Sequence, residues 1–61
     1  MANGFIKIMD EHGGFRLINT EFIKQVKLYS PRSLIYLDNN EVILSMNTFE
    51  FVCDAIEKAN Q

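Results

Sequence analysis

Leu34-Ile35-Tyr36-Leu37-Asp38-Asn39-Asn40-Glu41-Val42-Ile43-Leu44-Ser45-Met46 reads as two β-rich runs joined by a tight polar turn. Leucine, isoleucine, tyrosine and valine favour a pleated, half-buried backbone. Asp-Asn-Asn offers side chains that bond their own main chain and tolerate left-handed dihedrals. The stretch predicts a β-hairpin. Alternation sets its faces: Ile35 and Leu37 on one, Leu34 and Tyr36 on the other, with Val42, Leu44 and Met46 opposite Ile43. Both faces are apolar, and nothing in the hairpin is a nucleophile, a base, a metal ligand or a phosphate-binding loop.

Working back from the hairpin, Ser30-Pro31-Arg32-Ser33 reads as a turn, because Pro31 lacks an amide hydrogen and fixes φ. Val26 and Leu28 alternate with Lys27 and Tyr29, which predicts a strand from about Lys24 to Tyr29. Asn19-Thr20-Glu21-Phe22-Ile23 sets two cap-type residues before an acid and apolar residues, the pattern of one helical or 3₁₀ turn. Further back, Phe5-Ile6-Lys7-Ile8-Met9 and Phe15-Arg16-Leu17-Ile18 predict two strands around Asp10-Glu11-His12-Gly13-Gly14. There the paired glycines are expected to supply positive φ angles.

Beyond the hairpin, Asn47 and Thr48 are alternative N-caps, and Asn47 with Glu50 has capping-box spacing. Phe49, Val52, Cys53 and Ile56 recur at i, i+3, i+4 and i+7, with Ala59 three residues further on, the core stripe of an amphipathic helix, while Asn60-Gln61 is expected to fray. The early acids and late Lys58 suit the helix dipole. The fold class that follows is α+β: one domain over residues 1–61, with a small curled antiparallel sheet of about five short strands and one C-terminal helix. Either an open sheet or a small barrel satisfies the pattern.

Composition narrows the chemistry. At 61 residues with 48% hydrophobic content, the chain buries only about 60% of the surface its unfolded form exposes, so outside stabilisation is expected. A single cysteine, Cys53, forbids an intrachain disulfide, and within the apolar stripe it reads as a small buried hydrophobe. His12 and Cys53 are the only good soft or borderline ligands, where structural zinc needs about four. Neither a metal nor a cofactor is expected. Glu11, His12 and Asp10 share one turn but lack a positioned partner and a pocket, so no catalytic residue is expected and His12 reads as a turn residue.

No apolar run approaches the 18 or so residues of a membrane span, and the start lacks a secretory n-region and apolar core. A cytoplasmic location is the expectation. A net charge of −2 removes the general attraction to nucleic acid. Lys24, Lys27 and Arg32 with Tyr29 nonetheless form a loose basic-aromatic grouping, which is the alternative nucleic-acid surface.

Taken over nearly its full length, the sequence resembles the small flagellar proteins of the FlbD type. The resemblance runs through Phe5-Ile6-Lys7-Ile8, Gly14, Leu17-Ile18-Asn19-Thr20-Glu21-Phe22-Ile23, Ser30-Pro31-Arg32-Ser33-Leu34-Ile35-Tyr36-Leu37 and Thr48-Phe49-Glu50-Phe51-Val52. Asn40 stands where that family prefers glycine, and Phe51 replaces an acid. A second resemblance is to the first part of LytTR DNA-binding domains, which share the run of strands and a helix start like Thr48-Phe49. Those domains are longer and more basic. Neither resemblance implies a catalytic residue.

What remains is a non-enzymatic protein-interaction module. With disulfide and metal set aside, self-association is the expected source of stabilisation, with a homodimer favoured. Leu34, Tyr36, Val42, Leu44, Met46 and Phe51 are the candidate interface, since one helix covers one side of a sheet. In the FlbD-type pattern, the positions resembling Val42 and Met46 are often lysine.

Overall fold

In the computed structural model, which describes residues 4–60, strands β1 (Phe5–Met9) and β2 (Phe15–Asn19) form one antiparallel pair. A one-turn 3₁₀ helix (Thr20–Phe22) then leads into β3 (Ile23–Tyr29), β4 (Arg32–Leu37) and β5 (Val42–Ser45), a three-stranded antiparallel sheet in chain order. Helix α1 (Phe49–Ala59) closes the chain. The α+β class and the element order agree with the sequence pattern. The strands form two small sheets rather than one, and they do not close into a barrel. A single bridge between Asp10 and Ser45 links the two sheets, beside a bond from the Met46 amide to the Met9 carbonyl (2.8 Å).

Local chemistry explains each junction. Asp10 Oδ1 accepts the amides of His12 (2.9 Å) and Gly14 (3.0 Å) in the β1–β2 turn. Gly13 alone takes a positive φ (+82°) there, so the expectation for two such glycines holds for one. Asn19 Oδ1 accepts the Glu21 amide (3.0 Å) and starts the 3₁₀ turn where the sequence placed it. Between Ile23 and Gln25 the β3–β4 register shifts, which makes Lys24 an extra residue in the strand. Arg32 and Ser33 already belong to β4, so the preceding turn is tighter than the tetrad suggested, with a cis peptide at Ser30-Pro31. Asn40, at φ 71°, supplies the left-handed residue of the β4–β5 turn.

The core is a stack of Ile6, Ile8, Ile18, Ile35, Ile43 and Val52, flanked by Ile23, Val26, Leu37, Ala55, Ile56 and Ala59. Cross-strand pairing puts Ile6 beside Ile18 and Ile35 beside both Val26 and Ile43. Of the helix stripe only Val52 is fully buried; Phe49, Cys53, Ile56 and Ala59 are half-buried. The helix is capped by Thr48, whose Oγ1 accepts the Phe51 amide (3.1 Å). Asn47 does not cap: its Oδ1 accepts the Met9 amide (2.9 Å) and the Ser45 hydroxyl (3.2 Å). At the far end, a Cβ on Gly4 would lie 2.5 Å from the Ala59 carbonyl oxygen, so only glycine admits the helix there. Asn60 forms the C-cap, and Gln61 lies outside the described residues.

Candidate interaction surface

Side-chain alternation now has a fixed sense, because Ile35, Ile43, Ser33 and Ser45 point to the helix side and are buried. The other side of the three-stranded sheet therefore carries Leu34 opposite Leu44, and Tyr36 opposite Val42. Four of the six expected interface residues thus share one face. Val42 is 48% exposed, whereas Leu34, Tyr36 and Leu44 shield one another and are half-buried. Met46 follows the end of β5, tied by its amide to β1. Phe51 is 50% exposed but belongs to α1, which packs on the opposite side of the sheet, so it stands apart from the other five.

The cationic grouping is also divided. Lys27 pairs across β3–β4 with Leu34, and Tyr29 with Arg32, which sets Lys27, Tyr29 and Arg32 at one end of the same outer face. Lys24 sits at the register shift, away from that row. All four are exposed.

The most exposed apolar side chains lie elsewhere. On the outer face of β1–β2, Phe5 is 57%, Phe15 65% and Leu17 68% exposed, and the Lys7 ammonium lies 4.8 Å from the Phe15 ring centroid. This second face adjoins the first at Met9 and Met46, whose main chains are bonded. The sequence did carry a signal for it: Arg16 shares the inward parity of Ile18, so β2 runs past the end of the core. Arg16 is exposed and forms a 3.1 Å ion pair with Glu41 across the gap between the sheets. An exposed pair of this kind is worth at most about 1 kcal/mol.

The turn containing Asp10, Glu11 and His12 borders a shallow hollow of about 100 Å³ with Arg16, Val42, Ile43 and Leu44. The Gly14 amide, followed by that of His12, holds the Asp10 carboxyl below its ordinary value, since both bonds favour the ionised form. Asp10 is thus a turn-forming carboxylate engaged with main chain. The His12 imidazole lies 3.5 Å from the Glu11 carboxylate and is exposed. Cys53 is half-buried. A wider, half-open hollow of about 390 Å³ is lined by Phe22, Leu37, Asp38 and Asn39, a set without an acid-base pair. Among the described residues, no group of three or more His, Cys, Asp or Glu converges as a metal site, and no helix is long and apolar enough to cross a membrane. Comparison with protein-family models, with curated proteins and with solved structures gives no significant match to this chain.

Proposed function

We propose that the chain is a non-enzymatic interaction module that acts in the cytoplasm and associates with further copies of itself through the outer surface of its sheets. The observation that carries this is the uncovered outer face of β3–β4–β5, where Leu34, Tyr36, Val42 and Leu44 form two cross-strand apolar pairs while α1 occupies the other side. A small core with no disulfide adds to it, since a chain of this size gains most from a partner. The resemblance to FlbD-type flagellar proteins supports a role without chemistry of its own. Changing Val42 and Leu44 together to lysine is expected to give a folded protein with weakened self-association, read by light scattering, with circular dichroism to confirm the fold. A variant that unfolds would place these side chains in the core instead.

The alternative, a nucleic-acid-binding regulatory module resembling part of a LytTR domain, would use Lys27, Tyr29 and Arg32 as one row. Two cations in that row, with Lys24 apart from it, on a chain of net charge −2 support few phosphate contacts. Binding to a mixed-sequence duplex is therefore expected to be weak and to vanish on raising salt to physiological levels. Tight binding at that salt, abolished by Lys24→Glu with Lys27→Glu, would establish the alternative.

A further inference from the structure

The two sheets end in unpaired strands of opposite character. β3 carries Lys24 and Lys27 and a register shift, both devices that discourage a further strand from pairing. β2 carries neither. Its ladder with β1 is regular from Phe5↔Asn19 to Met9↔Phe15, and among the described residues no strand pairs with its far side.

The hydrogen-bond phase of that ladder is fixed at both ends, by the Thr20 amide on the Gly4 carbonyl (3.0 Å) and the Asp10 amide on the Gly14 carbonyl (2.8 Å). Alternation from either end makes Ile6–Ile18 and Ile8–Arg16 the bonded pairs. The N–H and C=O groups of Phe15 and Leu17 therefore point away from β1, toward the open edge. Phe15 and Leu17 are also the two most exposed large apolar side chains among the described residues, at 65% and 68%.

We propose that a second copy of this chain pairs antiparallel along β2, with Leu17 facing Leu17 across the two-fold axis, to make a continuous four-stranded sheet. The inference rests on the self-association reading and moves the principal contact from the β3–β4–β5 face to the β2 edge. Leu17→Glu is then expected to remove the dimer and the Val42, Leu44 double lysine variant only to weaken it. Bonded pairs in that register are the odd-numbered residues, the ones whose main-chain groups are free. Arg16 falls opposite Ile18, so no like charges meet. The two Lys7 residues, one strand further out on each side, lie three strand spacings apart, roughly 14 Å, which is more than a Debye length at ordinary salt. Phe5, Phe15 and Leu17 together leave on the order of 300 Å² of apolar surface wet per copy. Pairing covers the edge rather than that face, so the apolar gain is lateral: Leu17 meets Leu17 across the axis and Phe15 falls opposite Asn19, while Phe5 stays one strand away from the seam. An isolated two-stranded ribbon is itself marginal, and a four-stranded one is not.

The test is a charge swap at the two-fold. Leu17→Glu faces Lys7 within its own hairpin, so the fold is kept, but it faces its own like charge in the partner. It is expected to be a folded monomer by circular dichroism and light scattering. Mixing it with Leu17→Lys is expected to restore the dimer, because opposite charges then meet across the axis. Leu17→Pro, which removes only an outward N–H on an edge strand, is expected to be monomeric as well. A wild-type chain that is monomeric at high micromolar concentration would defeat self-association, and this register with it. A wild-type dimer that survives in folded Leu17→Glu, or a monomeric Leu17→Glu that mixing does not rescue, would overturn the β2 register while leaving self-association in place.

Discussion

Ile35→Ala is expected to destabilise the fold by about 3–4 kcal/mol, from the range found for removing a buried isoleucine side chain. Ile35 has no exposed surface and sits at the centre of the three-stranded sheet, with Val26 on one side, Ile43 on the other and Val52 of α1 in the same core. Truncation leaves a cavity that neither sheet can collapse into, because each neighbour is held by cross-strand pairing. A folded chain of 61 residues has a total stability of roughly 3–9 kcal/mol, at 0.05–0.15 kcal/mol per residue. This one change therefore removes a third or more of it. Urea denaturation followed by circular dichroism measures the loss. A shift below about 1 kcal/mol would mean that the centre of the core lies elsewhere.

Asn47→Ala is expected to cost on the order of 2–4 kcal/mol through polar groups rather than packing. Its Oδ1 is the acceptor for the Met9 amide on β1 and for the Ser45 hydroxyl on β5, and the Asn47 main chain accepts the hydroxyl of Ser33 (3.0 Å). Ser33 and Ser45 are both fully buried. Asn47 thus closes the seam where β1 meets β5 by one bridge alone. Removing its side chain strands an amide and a hydroxyl in a place with little water, whereas Asn47→Asp retains the accepting oxygen and is expected to cost far less. Urea midpoints for the two variants give the comparison, with hydrogen exchange at the Met9 amide as the local readout. Equal losses for alanine and aspartate would show that the oxygen is not what holds the seam.

The sequence announces local structure here and is silent on long-range pairing. Asn19 ahead of Thr20-Glu21, Asn40 in the Asp38-Asn39-Asn40 turn, and the Val52-Ile56 spacing each carry their structural reason within a few residues. Asn47 does not. Its spacing to Glu50 fits a capping box, yet a partner 38 residues away, the Met9 amide, takes the side chain and leaves capping to Thr48. The division into two sheets was hidden for the same reason, since alternation assigns faces to a strand but not neighbours. Exposure depends on the same long-range arrangement. Leu34, Tyr36 and Leu44 stand on a face three strands wide, where they shield one another, while Phe15 and Leu17 stand on a ribbon of two strands that has nothing beyond it.

Self-association is tested most directly by the solution mass of the wild-type chain, measured by sedimentation equilibrium or light scattering from low to high micromolar concentration. The expected result is a rise from the 7.1 kDa monomer toward twice that value, with slowed hydrogen exchange at the Phe15 and Leu17 amides over the same range. A mass that stays at 7.1 kDa throughout would contradict it.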